Sequence, residues 1–138
     1  MHVSEVMTRD VILASPDDAL QHAAQLMTGA DCGVLPVEEN DRLVGMLTDR
    51  DITVRAVARG MTPGQCKVRD IMSPAIMYVY EDDAVENAVQ SMSELKVRRL
   101  PVVNRKKRLV GIVSLGDIAA KQPEGAAEAL HHISRQAA

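Results

Sequence analysis

The sequence has few of the residue types that usually reveal a protein's chemistry. Its 138 residues include two tyrosines and two cysteines, but no phenylalanine or tryptophan. The core must therefore be aliphatic and methionine-rich, and a bound base would lie between aliphatic walls rather than against aromatic rings. Two cysteines are too few for a disulfide framework. We expect Cys32 and Cys66 to be reduced thiols, and a redox-dependent bond between them is the alternative.

Long apolar runs and an excess of basic residues are also absent. No stretch approaches the roughly 18 apolar residues of a membrane span, and the N-terminus lacks the apolar run of a secretion signal. We therefore expect a cytoplasmic protein that does not contact a membrane. The formal net charge of −3 argues against nucleic acid as a partner, because duplex-binding proteins usually carry a clear basic excess. The histidines have no metal-ligand spacing, so no metal site is predicted.

The sequence does contain an internal repeat. The segment LVGMLTDRDI at residues 43–52 returns as LVGIVSLGDI at residues 109–118. A repeated unit buries its apolar face against its copy, so we expect both halves to form one globular body. Other matched segments are Val6–Thr8 with Ile71–Ser73, Asp18–Ala19 with Asp83–Ala84, and Leu35–Val37 with Leu100–Val102.

The first part of each copy reads as a strand followed by a helix. The opening apolar runs, residues 11–13 and 76–80, predict the strands. The polar residues that follow, 15–18 and 81–83, are typical of a helix start. Apolar residues then recur at helical spacing and predict a buried face. That face consists of Ala19, Leu20, Ala23, Ala24 and Met27 in the first copy, and of Ala84, Val85, Ala88, Val89 and Met92 in the second.

The second part of each copy reads as a hairpin followed by a helix. Two short apolar runs flank a polar turn, within residues 34–47 in the first copy and 100–113 in the second. The next helix starts at Thr48 or Ser114. The order strand, helix, strand, strand, helix predicts a mixed α/β fold of the α+β kind. The predicted boundaries are 1–60 for the first repeat, 61–67 for a linker, 68–121 for the second repeat, and 122–138 for a tail with one short helix.

Three motifs occur in the same order in both copies: a hydrophobic residue followed by Met-Thr/Ser, then Leu-Pro-Val, then Gly-x-x-Thr/Ser-x-x-Asp. In these motifs residues 3–120 resemble a tandem pair of CBS domains, named after cystathionine beta-synthase. The chain is similar to a stand-alone bacterial pair, the pseudo-twofold Bateman module. The resemblance implies a regulatory module, not an enzyme, that often binds AMP, ADP, ATP or S-adenosylmethionine between the repeats and often forms a homodimer. It implies no other cofactor.

The third motif places a hydroxyl and a carboxylate three residues apart, as Thr48 with Asp51 and as Ser114 with Asp117. A carboxylate can accept bonds from both hydroxyls of a ribose, while the hydroxyl and helix-end N–H groups favour a phosphate. The same spacing predicts a capping box, in which the acid bonds back to its own helix. The resemblance favours ligand binding in at least one copy, because this acid is the family's ribose ligand.

The resemblance also implies that each cleft combines the end of one repeat with the start of the other. We call the clefts the first-end and second-end sites, after the repeat that supplies the Thr/Ser-x-x-Asp motif. The first-end site would comprise Met46, Thr48, Arg50, Asp51, Gly33, Ser73, Ile76, Met77, Val97 and Arg98. The second-end site would comprise Ile112, Ser114, Asp117 and Arg98 with Thr8, Val11, Ile12, Cys32 and Gly33.

The copies differ in their arginines. Gly33-Val34 corresponds to Arg98-Arg99, and Arg50 corresponds to Gly116. Arginine suits forked phosphate contacts, although exposed arginines are often solvated or paired with an acid such as Glu94. We expect the first-end site to be the better phosphate site, with asymmetric occupancy by AMP- or ATP-like ligands.

Two functions remain open from the sequence. The first is a sensor of adenine nucleotides that signals to an unidentified protein partner. The second is a ligand-free dimerisation or protein-interaction module. An enzyme is disfavoured because no His-centred base, metal cluster or phosphate-loop motif accompanies the carboxylates. The basic turn at residues 105–108 is expected to be solvated.

Overall fold

The computed structural model describes residues 1–74, 77–121 and 123–137. The chain divides into two compact units, which do not coincide with the sequence repeats. One unit runs from Ile12 to Ile76 and is called the 12–76 unit here. The other, called the terminal unit, joins Met1–Val11 to Met77–Ala138. The opening segment of each repeat, residues 3–11 in the first and 68–76 in the second, thus belongs to the unit that contains the other repeat's hairpin.

The 12–76 unit contains a hairpin, one full helix and several short helical segments. The π-helical Ile52–Ala56 and the 3-10 turn Val57–Arg59 extend the helix that begins after Thr48. Gly60 ends this extension with a φ of 70°, a conformation that glycine adopts without strain. The regular elements are α1 (Leu20–Ala30), β1 (Val34–Glu39), β2 (Arg42–Thr48), α2 (Asp49–Asp51) and α3 (Val68–Ile71).

Strands β1 and β2 form the predicted antiparallel hairpin. Val34 pairs with Thr48 at the open end, and the register shifts at Val37/Glu38. Asn40 and Asp41 have φ values of 55° and 62°, as a tight hairpin turn requires at both central positions. The hairpin prediction is confirmed, and its register places Thr48 at the end of β2.

The core of the 12–76 unit lies between α1 and the hairpin. Leu20, Ala23 and Met27 of the predicted helical face are buried, together with Leu35 and Leu47. Burying a large aliphatic side chain contributes roughly 1.5–3 kcal/mol. The helical spacing therefore identified core residues correctly.

The terminal unit repeats this arrangement with a third strand and an additional helix. Strand β3 is parallel to β4, and β4 is antiparallel to β5. The unit opens with a 3-10 turn at Val3–Glu5. Its other elements are β3 (Val79–Tyr80), α4 (Val85–Leu95), β4 (Arg99–Val103), β5 (Leu109–Ser114), α5 (Leu115–Ala119) and α6 (Pro123–Ala137).

Helix α6 is longer than the short helix expected for the tail. It has 15 residues and packs on α4 and α5. Ala129 and Ile133 of α6 are buried in the core of the terminal unit. Among the described residues, no helix is long and apolar enough to cross a membrane.

The opening strands are shorter than predicted. Residues 11–13 form no strand, and only an isolated parallel bridge joins Ala14 to Val37. In the second copy the strand is limited to Val79–Tyr80, and Ile76 lies outside the described residues. Ile12 is exposed, so an apolar run alone did not establish strand pairing.

The polar residues before each long helix do not cap it. Helix α1 begins after Ala19, and no side chain caps its first turn. The Asp18 carboxylate instead accepts the N–H of Ser15 at 2.9 Å, and Asp83 accepts that of Tyr80 at 2.9 Å. Short acidic side chains favour such local turns, so the predicted helix start is wrong by a few residues.

Candidate functional site

A capping box is present at the end of each hairpin. The N–H of Thr48 donates to Asp51 Oδ2 at 3.0 Å, and the N–H of Asp51 donates to Thr48 Oγ1 at 3.0 Å. In the terminal unit the Ser114 and Asp117 pair makes the same two bonds at 3.1 and 3.0 Å. Both copies therefore form the capping box that the spacing predicted, and its hydrogen bonds hold the carboxylates of Asp51 and Asp117 in place.

The capping bonds leave part of each acid available. An ionised carboxylate can accept about four hydrogen bonds, and the cap uses Oδ2 only. Oδ1 of Asp51 lies 3.8 Å from Nε of Arg55. Among the described residues, Oδ1 of Asp117 has no hydrogen bond or ion pair. Since Thr48 and Ser114 accept the capping bond, their own hydroxyl hydrogens remain free to be donated.

The opening segments pair with the hairpins beside these acids. In the 12–76 unit, the N–H of Met46 donates to Ser73 O at 2.8 Å, and the N–H of Ser73 donates back at 2.9 Å. In the terminal unit, Thr8 and Ile112 exchange the same two bonds at 2.8 and 2.9 Å. Each bridge brings a second hydroxyl-bearing residue close to the Thr/Ser-x-x-Asp motif.

The glycine of that motif makes the close approach feasible. A Cβ on Gly45 would lie 2.8 Å from Ser73 O, and a Cβ on Gly111 would lie 2.7 Å from Thr8 O. Real Cβ atoms essentially never come that close to a backbone oxygen. The sequence analysis named this glycine as part of a motif but gave it no role, although its presence in both copies was the available signal.

The 12–76 unit brings together part of the predicted first-end site. It holds Gly33, Met46, Thr48, Arg50, Asp51 and Ser73. The carbonyl of Gly33 accepts the N–H of Asp49 at 2.9 Å, and a Cβ on Gly33 would lie 2.6 Å from the Asp49 carboxylate. Met77, Val97 and Arg98 belong to the terminal unit, and Ile76 is outside the described residues.

The terminal unit brings together part of the predicted second-end site. The Arg98 carbonyl accepts the N–H of Leu115 at 2.8 Å, as Gly33 does for Asp49. Ile12, Cys32 and Gly33 belong to the 12–76 unit. The predicted residues within the terminal unit are Thr8, Val11, Arg98, Ile112, Ser114 and Asp117.

The predicted phosphate-binding arginines are exposed. Arg50, Arg98 and Arg99 make no side-chain hydrogen bond or ion pair within the described part of the chain. Arg55, by contrast, does make a side-chain hydrogen bond, although it was not predicted as a site residue. Its Nη1 donates to Ile71 O at 3.2 Å. Its spacing of four residues from Asp51 was a signal that could have identified this pair.

The basic turn at residues 105–108 is exposed, as expected, and one of its arginines also has an acidic partner. Arg105 forms an ion pair with Asp82 at 2.9 Å, and its guanidinium carbon lies 4.2 Å from the centroid of the Tyr80 ring. The hydrogen bond from Arg105 lowers the pKa of the Asp82 carboxyl. This arginine thus fastens the β4–β5 turn to the loop after β3.

The two cysteines are free thiols, as expected from the sequence. Cys66 is buried, and burial raises the pKa of its thiol, which reduces its reactivity. Cys32 is half-buried. No group of three or more His, Cys, Asp or Glu side chains is placed to hold a metal ion in the described segments.

Both copies of the repeat are matched by one family model. The model described as "CBS domain" matches residues 3–57 and again residues 68–124. The chain belongs to the CBS domain family. The mixed helix and strand fold expected from the sequence is confirmed by its structural likeness to solved CBS pairs.

Two bacterial relatives align over most of their length. The chain is 43% identical over 136 residues to the CBS domain-containing protein YhcV of Bacillus subtilis, covering 97% of this chain and 96% of that protein. It is 38% identical over 123 residues to hypoxic response protein 1 of Mycobacterium tuberculosis, covering 88% and 85%.

Solved structures show the same fold. A crystal structure of hypoxic response protein I with two coordinated zinc ions matches with a TM-score of 0.81 and 36% identity, over 89% of this chain and 100% of that one. The CBS domain pair of protein MJ0100 matches with a TM-score of 0.75 and 27% identity, over 87% and 94%. That pair was crystallised with 5′-methylthioadenosine and S-adenosyl-L-methionine.

Proposed function

We propose that this CBS domain pair is a regulatory module that binds adenine nucleotides of the AMP, ADP and ATP class. One observation carries the proposal. In the 12–76 unit, the Met46–Ser73 bridge places the opening segment beside the Thr48 and Asp51 pair. The adenosine compounds bound by the CBS pair of MJ0100 supply the ligand class.

The residues of this half-site have complementary chemistry toward a nucleotide. Asp51 retains acceptor capacity at Oδ1, which suits the ribose hydroxyls. Thr48 can donate its hydroxyl hydrogen to a phosphate oxygen, because Oγ1 accepts rather than donates in the cap. Both side chains offer hydrogen bonds to a ligand, so the proposed role is binding and not catalysis.

We expect AMP-like ligands to favour the half-site in the 12–76 unit over its counterpart. Arg50 is exposed next to the capping box there, whereas the equivalent position in the terminal unit is Gly116. A free guanidinium can form forked contacts with a phosphate, and glycine offers none. Occupancy of the two sites should therefore be unequal.

A ligand panel tests the proposal. Purified protein is heated with AMP, ADP, ATP, GTP, S-adenosylmethionine or NAD, and the unfolding temperature is followed. A ligand that binds only the folded state, at a hundredfold over its dissociation constant, adds about 2.7 kcal/mol to the free energy of unfolding. AMP, ADP or ATP should raise the unfolding temperature most. No shift with any adenine compound, together with no small molecule released from the purified protein in mass spectrometry, contradicts the proposal.

Ligand-free protein interaction is the second candidate function. It is favoured by the capping boxes, since both acids already have partners without a ligand. Val54 and Val57 are also 46% and 60% exposed on the extension after Asp51.

For either function, we propose that the protein forms a homodimer and signals to a protein partner. Light scattering should give the mass of a dimer, and a monomer at micromolar concentration contradicts the self-association.

A further inference from the structure

The segment after Asp51 differs between the two copies. In the 12–76 unit it continues as the π-helical turn Ile52–Ala56. In the terminal unit α5 ends at Ala119, and no π-helical turn follows among the residues that the structure describes. Single π-helical turns inside helices occur frequently at functional sites. Arg55 is the charged residue of this turn.

Arg55 contacts two elements of the proposed nucleotide half-site. Its Nε lies 3.8 Å from Asp51 Oδ1, the carboxylate oxygen that the cap does not use. Its Nη1 donates to Ile71 O at 3.2 Å. Ile71 ends α3, and Ser73, which pairs with Met46, follows two residues later. One guanidinium therefore joins the ribose-binding acid to the opening segment of the second repeat.

The electrostatic setting favours a role in orientation. The Asp51 side chain is 14% exposed and the Arg55 side chain 45% exposed, so the carboxylate is held in place while the arginine remains in contact with solvent. The position equivalent to Arg55 in the second copy is Lys121, which has no side-chain hydrogen bond or ion pair in the part of the chain that the structure describes. Within the described part of the terminal unit, Asp117 thus has no equivalent second constraint.

We propose that Arg55 is a positioning residue for ribose recognition: it orients Asp51 Oδ1 toward the sugar hydroxyls and couples that oxygen to the Ile71–Ser73 segment. The inference rests on the proposed function and deepens it. Arg55 acts through Asp51, so its contribution depends on the ligand having ribose hydroxyls. An arginine that served only the fold, or only the phosphate, would not show that dependence.

The test compares two ligands that differ only in the ribose. Calorimetry measures the affinity of the full-length wild-type protein and of Arg55→Gln for AMP and for 2′,3′-dideoxyadenosine 5′-monophosphate. Exposed ion pairs contribute at most about 1 kcal/mol, so Arg55→Gln should weaken AMP binding roughly twofold to fivefold. The affinity for the dideoxy compound should be nearly unchanged.

Arg59→Gln is the matched control. Arg59 lies on the same extension, is exposed, and has no hydrogen bond or ion pair within the described ranges. It should leave both affinities unchanged. The thermal unfolding temperature of each variant, measured without ligand, shows whether the protein remains folded at the temperature of the calorimetry.

The outcomes separate this inference from the proposed function. Equal losses for both ligands in Arg55→Gln, or no loss for either, overturn the role of Arg55 and leave nucleotide binding in place. A wild-type protein that binds neither compound overturns the proposed function, and the role of Arg55 with it. A loss confined to AMP supports both.

Discussion

Asp51 is the residue on which the proposed ligand binding should depend most. Truncation to alanine should remove one or two hydrogen bonds to a charged group, each contributing about 1.5–3 kcal/mol. The affinity for AMP should fall roughly tenfold to a thousandfold, as measured by calorimetry. Asp51→Asn is the second variant, because its amide oxygen can still accept the Thr48 N–H bond and thus retains the cap. An unchanged affinity in both variants would show that Asp51 does not contact the ligand.

The two motif glycines should be sensitive to a single added carbon. In Gly111→Ala the new Cβ would lie 2.7 Å from the backbone oxygen of Thr8 and 2.8 Å from Met7 Sδ. Because backbone cannot yield as a flexible side chain can, we expect a loss of about 1–3 kcal/mol in the free energy of unfolding. Urea denaturation would measure it.

Gly29→Ala provides the control for this substitution. No heavy atom lies within 4 Å of a Cβ built on Gly29, which is in α1. Replacing a helical glycine with alanine should raise the free energy of unfolding by roughly 0.5–1 kcal/mol. If Gly111→Ala behaved like Gly29→Ala, the close contact with Thr8 would not be a real constraint.

The individual residues of the site were only partly predictable. The acids and hydroxyls were identified because they recur at fixed positions in both copies, and the exposed arginines because the copies differ at those positions. The role of Arg55 was missed because it depends on a π-helical turn, which spacing alone does not reveal. A capping box and a ligand-binding site would use the same hydroxyl and carboxylate, so the sequence alone could not distinguish the two roles.

At the level of the elements, the C-terminal end of α4 contains a strained backbone conformation that a single substitution should relieve. Lys96 ends α4 in the left-handed conformation with a φ of 58°, which costs an L-residue with a Cβ roughly 1–2 kcal/mol. Lys96→Gly should therefore raise the free energy of unfolding by about 1 kcal/mol in urea denaturation. Lys96→Ala removes the same charge but retains the Cβ. An equal gain from Lys96→Ala would assign the effect to charge and not to backbone conformation.

The elements themselves followed from the sequence where periodicity was strong. Helices α1 and α4 and both hairpins were predicted because their apolar spacing reflects burial on one face. The opening strands were overestimated because residues 11–13 are apolar yet unpaired, and the helix starts were misplaced because Asp18 and Asp83 bind turn N–H groups. Periodicity reports which face is buried, whereas strand length depends on partners that are distant in sequence.

For the whole molecule, the division into units determines which half depends on the N-terminus. Val3 and Val6 are buried in the core of the terminal unit, and Thr8 bridges to Ile112. Deleting residues 2–11 should therefore lower the stability of the rest of the terminal unit, residues 77–138. Amide hydrogen exchange should accelerate in β5, with β1 and β2 remaining protected.

The opposite pattern would contradict this organisation. If the deletion accelerated exchange mainly in β1 and β2, the opening segment would belong to its own sequence repeat. Val3→Ala gives a milder version, since it leaves a cavity in the terminal unit's core without shortening the chain. Neither measurement needs a ligand, and both test whether residues 3–11 stabilise the unit that contains the second repeat's hairpin.

The crosswise arrangement also bears on how the chain is made. A ribosome synthesises every residue of the 12–76 unit before it begins Met77–Ala138, so the 12–76 unit can fold first. At roughly 5–20 residues per second, the synthesis of β5 is completed about 5–20 seconds after that of Val3 and Val6. During that interval Val3 and Val6 remain exposed on the nascent chain, so the core of the terminal unit can be completed only after the 12–76 unit has been synthesised.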